Sequence, residues 1–247
     1  MKAVVLTLSC MMLMFNTQAQ ADMLGLTLTG DYAKLSLSGR AGDHAFSQPL
    51  QFSDDDWQSW SAAFEHPLPL VPNIALRRQV ANWSGNTQLG AELQLDRYRY
   101  ASKTNINNVV DLKSTDLSFY YEVLDNSLLA LDLGVTAMDY DAELAVTGPT
   151  SKRRTASGFL PLLYGNLTVQ VWGIDTALFW QGNYTDYRDQ QWTQAKMGIA
   201  YQLLDLTALS VEVKLGWQHQ SVTLTDKDQL DLDFRMKGPF VALEADF

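Results

Sequence analysis

The stretch "SFYYEVLDNSLLALDLGV", residues 118–135, places two apolar segments on either side of "LDNS". Before the turn, Leu117, Phe119, Tyr121 and Val123 alternate with Asp116, Ser118, Tyr120 and Glu122. After it, Leu129, Leu131, Leu133 and Val135 alternate with Ala130, Asp132, Gly134 and Thr136. Period two over both arms marks strands with two unlike faces, and the short Asp-Asn turn joins them as a hairpin. The apolar face must meet either a protein core or lipid.

The same period recurs along the chain. Leu24, Leu26 and Leu28 alternate with Gly25, Thr27 and Thr29. Trp60, Ala62 and Phe64 alternate with Ser61, Ala63 and Glu65, and the proline-rich "HPLPLVPN" that follows forbids a continuing ladder. Ile74, Leu76 and Val80 alternate with Ala75, Arg77 and Gln79. Leu89 to Tyr100 keeps a strand-like character, so this strand or its hairpin is expected to project beyond a membrane. Further alternating runs lie at 163–171, 176–180, 196–203 and 209–217, and the chain closes on a strand in "GPFVALEADF". The count is about ten strands, with eight as the alternative, each expected near the roughly 9–11 residues that a tilted membrane strand needs.

The connections differ in kind. Short or proline-stiffened turns fall near 66–73, 124–127, 172–175 and 204–208. Between them lie the polar stretches "SGRAGDHAFSQPLQFSDDD", "SKTNINN", "TGPTSKRRTAS", "YTDYRDQQ" and "TDKDQLD", read as loops. Short turns on one side and longer polar loops on the other are the layout of an all-β, antiparallel, up-and-down transmembrane barrel with both termini periplasmic. Trp60, Trp180, Trp192, Trp217, Tyr121 and Tyr201 are expected to supply the aromatic girdles. A soluble sandwich or lipocalin-like barrel alternates too, and differs in which face is turned inward.

The ends agree with an envelope destination. Lys2, an apolar run from Ala3 to Phe15 and a small-x-small site at Ala19 and Ala21 predict a signal peptide over residues 1–21, cut before Asp22, with the barrel over 22–247. The apolar run is too short for a spanning helix. Cys10, the only cysteine, lies inside the expected signal, so the mature chain cannot use disulfides. Losing Lys2 and no acid moves the formal charge from -10 to -11. This acidic balance argues against nucleic acid or anionic lipid head groups as main partners, since both want basic patches.

The stretches "EHPLPLVPN" (65–73), "STDLSFYYEVLDN" (114–126), "LDLGVTA" (131–137), "LPLLYG" (160–165) and "GPFVALEADF" (238–247) together resemble a family of small proteobacterial outer-membrane β-barrel proteins of unassigned function. The likeness runs through most of the chain after residue 21, except the stretches 38–56 and 84–108. It implies a fold and a location in the outer membrane rather than a chemistry. The closing strand, ending on Phe247, is similar to the C-terminal signature that the barrel assembly machinery recognises. Outer-membrane lipid, lipopolysaccharide and that machinery are then the expected partners, and a monomer the expected state.

With the apolar sets facing lipid, Glu65, Arg77, Asp116, Glu122, Asp132, Lys196, Glu212, Lys214, Glu244 and Asp246 are placed in the lumen, seven acids against three bases. Such an interior is either a polar, hydrated, salt-bridged plug or a narrow cation-preferring pathway. About ten strands leave less room than the 16–18 of a general porin.

Candidate chemistry is sparse. His66 precedes Pro67 and reads as a turn residue. His44 follows Asp43, with Asp54, Asp55 and Asp56 nearby in sequence, where a general base or a weak Ca²⁺ site competes with a plain acidic loop. His219 and Ser221 share one strand face, and a His beside a Ser activates its hydroxyl in lipid A deacylase barrels, similar in spacing only. Lys152, Arg153 and Arg154 form a small basic patch suited to lipopolysaccharide phosphates or to a solvated tip. No phosphate loop, metal-ligand spacing or nucleophile elbow is present, so no catalytic, cofactor or metal residue is assigned. The sequence therefore predicts a non-enzymatic outer-membrane barrel, structural or interacting through its outer loops. A narrow channel for small solutes or cations is the alternative, and a lipid A-modifying or proteolytic barrel the third reading.

Overall fold

A computed structural model of the chain describes residues 24–43, 46–68, 70–227 and 230–247. The expected signal peptide over 1–21 and His44 lie outside the described residues. Among the described residues the strands are β1 (Gly25–Gly42), β2 (Gln48–Leu50), β3 (Asp55–Glu65), β4 (Asn73–Gln88), β5 (Leu93–Leu95), β6 (Tyr98–Tyr100), β7 (Asn105–Asp125), β8 (Leu129–Thr147), β9 (Ser151–Gln170), β10 (Thr176–Tyr187), β11 (Gln190–Leu206), β12 (Leu209–Lys227) and β13 (Leu230–Asp246).

Ten of these strands pair antiparallel in the order β1-β3-β4-β7-β8-β9-β10-β11-β12-β13, and β13 returns to β1. The seam runs in register from Thr27↔Asp246 to Gly42↔Asp231. Leu26 and Phe247 exchange backbone hydrogen bonds of 3.2 and 3.0 Å beside it. Closure pairs every long strand on both sides within the membrane tier, while β10 pairs with β9 only over Leu163–Gln170. The short β2 adds to the outer end of β1, and β5–β6 is a separate hairpin.

The hairpin that decides the fold is β7–β8, in register from Asn107↔Thr147 to Glu122↔Asp132, with a bulge between Glu122 and Leu124. Asn126 closes its turn: the Asn126 side-chain oxygen accepts from the backbone N–H groups of Leu128 and Leu129 at 3.0 and 3.1 Å. Leu117, Tyr121, Val123, Leu133 and Val135 stand exposed on the outside, while Asp116, Ser118, Asp132 and Thr136 are buried inside. The same parity holds around the barrel, with Leu28, Ile74, Leu163, Leu178, Met197, Leu215 and Leu243 all exposed outward. An apolar exterior over a polar interior is the arrangement of a barrel that spans a lipid bilayer. No connection longer than seven residues occurs at the end that carries the termini, which is the periplasmic end.

Above this belt the pattern inverts without any change of parity. On β1, Leu26 and Leu28 point out and Thr27 and Thr29 in; farther along, Lys34, Ser36 and Ser38 point out and Leu35 and Leu37 in. On β8 the switch comes near Ala137: Asp139, Asp141 and Glu143 face outward, while Met138, Tyr140, Ala142, Leu144 and Val146 are buried inside. A strand leaving the bilayer must show water a polar face, and its other face is then free to fill an apolar core. The barrel thus has two tiers, a membrane tier with a polar interior and an outer tier built like a soluble barrel.

Three expectations are corrected by this second tier. The ten barrel strands are not all near 9–11 residues but run from 11 in β3 to 21 in β7. The stretches 147–157 and 184–191 are largely strand rather than loops, as are 225–227 and 230–231, because outward polar residues alternate with inward apolar ones such as Ala156 and Leu230. Arg188 and Asp189, with φ of 51° and 60°, close β10–β11 as a two-residue type I′ turn. Trp192 is no girdle residue: it is fully buried inside the outer tier, 5.4 Å from the Tyr140 ring. Trp60, Trp180, Trp217, Tyr121 and Tyr201 are exposed outward.

The tiers respond differently to charge. Leu133→Lys in the belt is expected to cost about 2–4 kcal/mol of folding free energy in lipid vesicles, whereas Asp139→Lys, three outward positions higher on β8, stays within about 0.5 kcal/mol. Urea titration of vesicle-folded protein measures both.

Candidate functional site

The interior of the membrane tier holds a cavity of about 350 Å³, lined by residues of every long strand. It reaches the periplasmic rim, where Thr27, Glu65, Asp132, Glu212 and Asp246 border it near strand ends. Of the ten charges assigned to the lumen from sequence, Glu65, Arg77, Asp132, Lys196, Glu212, Lys214, Glu244 and Asp246 line this chamber. Asp116 is buried beyond its wall, and Glu122 lies exposed at the mouth, where its Oε1 accepts from Asn73 Nδ2 at 2.9 Å.

Each cation in the chamber is matched to one acid. Arg77 Nε and Nη2 donate to Asp116 Oδ2 at 3.0 and 2.6 Å, and Gln79 Nε2 and Ser114 Oγ donate to the same carboxylate at 2.8 and 2.9 Å. Arg77 also donates to Gln194 Oε1, which accepts from Asn183 Nδ2 at 3.3 Å. Asn183 Oδ1 accepts from Thr136 Oγ1 at 2.9 Å, and Thr136 shares a 2.7 Å bond with Ser118. A belt of side-chain hydrogen bonds therefore crosses from β4 through β7 and β8 to β10 and β11. Shared bonds of this kind let a buried charge keep the stabilisation it would lose on leaving water.

On the other wall, Lys196 Nζ donates to Asp31 Oδ1 at 2.7 Å and lies 4.8 Å from the Trp57 ring centroid. Ser59 Oγ donates to Asp31 Oδ2 at 2.6 Å. Nearer the rim, Lys214 pairs with Glu244, which also accepts from Thr29 at 3.1 Å. Three further carboxylates are held by neutral donors: Glu65 by Tyr120 at 2.8 Å, Asp132 by Asn166 at 2.9 Å, and Asp246 by Thr27 and Ser210 at 2.6 and 3.1 Å. The excess negative charge is thus gathered toward the periplasmic mouth. Gly134 faces Tyr120 in register, and a Cβ there would come within 2.7 Å of the Tyr120 Cα, so glycine makes room for Tyr120 beside the cavity.

Sequence reasoning missed Asp31, the partner of Lys196. It shares the parity of Thr27 and Thr29, and carrying the alternation past Gly30 would have found it. The neutral members Gln79, Asn183 and Gln194 carry no distinctive sequence signal.

The outer end is filled. Trp83, Trp192, Tyr140, Leu35, Met138, Leu144 and Leu160 are fully buried inside it, and Trp83 Nε1 donates to Leu35 O at 3.1 Å. The β5–β6 hairpin folds over this core instead of projecting, burying Leu89, Leu93, Leu95 and Tyr100 to 1% exposure or less. The Tyr100 hydroxyl donates to Thr150 O at 3.0 Å, and burial pushes its phenol up to about 12. Asp96, in the hairpin turn, accepts from Lys152 at 3.1 Å and pairs with Arg154 at 3.4 Å. Lys152, Arg153 and Arg154 are therefore strand residues engaged within the protein, Arg153 pairing with Glu143 at 3.1 Å. The Lys152 hydrogen bond and charge hold the Asp96 carboxyl below its ordinary value. That contribution is present above the ordinary carboxylate value of 3.8 and is lost as pH falls through the lowered one. Asp96→Asn is expected to speed protease nicking within 89–104 at neutral pH, and wild type to loosen in the same segment only below pH 3.8.

The remaining candidates do not converge. His66 sits in the periplasmic turn, with its backbone N–H on Asn73 and its Nδ1 accepting from Leu68 N. Asp43 accepts from Gln94, and Asp56 from Tyr32 at 2.6 Å. His219 and Ser221 face outward above the belt, and their partners across β13 are Lys237 and Arg235, not an acid. Among the described residues, no group of three or more His, Cys, Asp and Glu is arranged to hold a metal ion.

No family model matches the chain, and no curated protein matches its sequence. Solved structures do resemble it. The outer membrane protease OmpT from Escherichia coli aligns over 92% of this chain and 99% of that one, with a TM-score of 0.53 and 10% identity. The transport unit of the autotransporter AIDA-I from Escherichia coli aligns over 93% and 91% at a TM-score of 0.41 and 12% identity. Ail, the attachment invasion locus protein of Yersinia pestis, aligns over 92% and 100% at 0.40 and 8%. With its closed ten-stranded wall, apolar belt and polar membrane-tier interior, the chain is an outer-membrane β-barrel protein.

Proposed function

We propose that this barrel is non-enzymatic and closed to solute flow, and that it acts by holding its outer tier and the 46–54 and 89–104 segments at the cell surface. The observation that carries this reading is the apolar filling of the outer tier, in which two tryptophans and the hairpin-borne Leu93, Leu95 and Tyr100 are buried in the hydrophobic core above the polar chamber. Water and ions crossing that tier would lose hydration without polar partners to replace it. The outward placement of His219 and Ser221, opposite cations, supports a non-enzymatic role.

The channel reading has the carboxylate-rich periplasmic chamber in its favour and the apolar tier against it. Planar-bilayer recording separates the two: no discrete conductance steps are expected from the folded protein, and regular steps would overturn the closed-barrel reading.

A further inference from the structure

We propose that the outer face of β12, β13 and β1, immediately above the apolar belt, binds the phosphorylated headgroup of the outer-leaflet glycolipid. Lys237 lies in register between His219 of β12 and Ser36 of β1, and Arg235 between Ser221 and Ser38. Lys34 stands one outward position below Ser36. All four basic side chains, Lys34, His219, Arg235 and Lys237, are exposed, and none of them forms an ion pair with a described residue. Directly beneath them, Tyr32 and Trp217 are exposed at the top of the belt, where amphipathic rings mark the lipid–water interface.

The placement of charge selects the occupant. In a chain of net charge -10, cations gather on this face, while the outer tier on the far side of the barrel presents Asp111, Asp139, Asp141 and Glu143. Two acids border the basic face. Asp56 is in register with Lys34 and accepts from the Tyr32 hydroxyl, and Asp233 lies one step beyond Arg235, opposite Arg40. A molecule whose acyl chains lie along Leu215, Trp217 and Val241 carries its headgroup to this height. Phosphates there would meet cations on two adjacent strands, β13 and β1, with the His219 imidazole and the Ser221 hydroxyl of β12 beside them as polar partners. A dissolved anion would gain the charges without the apolar contact below. The surface is independent of whether the lumen conducts.

Native mass spectrometry of the folded full chain in detergent tests this, with bis-phosphorylated lipid A as probe and fully dephosphorylated lipid A as the comparison. Wild type is expected to retain the phosphorylated lipid and to lose the dephosphorylated one. The variant Lys34→Gln/Arg235→Gln/Lys237→Gln is expected to bind the phosphorylated lipid roughly a hundredfold more weakly. Lys113→Gln/Arg153→Gln, which removes two cations elsewhere on the outer tier, leaves binding unchanged. Equal retention of both lipids by wild type would overturn the proposal, and that arm needs no variant to fold. So would undiminished binding by the triple variant once its heat-modifiable migration shows it folded.

Discussion

Replacing Arg77 with Leu is expected to destabilise the barrel by about 3–5 kcal/mol, the cost of leaving a buried carboxylate without its cation. Asp116 is 2% exposed and takes two of its hydrogen bonds from this guanidinium, which also donates to Gln194 and so ties β4 to β11 across the chamber. The remaining donors, Gln79 and Ser114, are neutral and cannot offset the buried charge. The double variant Arg77→Leu/Asp116→Leu removes the unpaired charge along with its partner and is expected to recover most of the loss, because replacing both members of a buried pair by apolar groups is often near neutral. Urea titration of heat-modifiable migration, with wild type, single and double variants in parallel, reads the difference. A single variant as stable as wild type would mean that water reaches Asp116 freely.

The second large effect is expected from Trp83→Ala, again about 3–5 kcal/mol, here from lost burial and the cavity left behind. Trp83 is fully buried in the outer tier, and its indole N–H is satisfied by Leu35 O. Its neighbours belong to rigid strands of a closed barrel and cannot collapse into the vacated space. Trp172→Ala is the contrast: this residue sits in the periplasmic turn at 97% exposure, and its loss is expected to stay within about 0.5 kcal/mol. If the two substitutions cost the same, the outer tier would not be a packed core.

How much of this was legible in the sequence depends on which tier is considered. In the membrane tier a single rule, period two with apolar residues outward, placed the hairpin at 118–135 and the periplasmic turns, and it set Glu122 inside the lumen where the structure has it exposed at the mouth. The outer tier obeys the same period with polarity exchanged, and Thr155 and Ser157 outward with Ala156 inward look like a polar loop to a reader following apolar runs. The inversion was nevertheless present in β1, where Leu26-Thr27-Leu28-Thr29 gives way to Lys34-Leu35-Ser36-Leu37 in the opposite phase. Two things were beyond sequence. Pairing between distant strands, such as Lys196 with Asp31 or Arg77 with Gln194, depends on how the sheet closes. The inward fold of β5–β6 depends on Lys152 and Arg154 arriving opposite Asp96, 56 and 58 positions along the chain.

The polarity inversion itself is tested most directly by single-cysteine labelling along β8, since the only natural cysteine, Cys10, lies within the expected signal peptide. Cells carrying Asp139→Cys, Asp141→Cys, Met138→Cys, Tyr140→Cys or Leu144→Cys are treated from outside with a membrane-impermeant maleimide. Asp139→Cys and Asp141→Cys are expected to react in the intact cell, while Met138→Cys, Tyr140→Cys and Leu144→Cys react only after unfolding. Rapid external labelling at 138, 140 and 144 would place those side chains in water and contradict a closed, apolar outer tier.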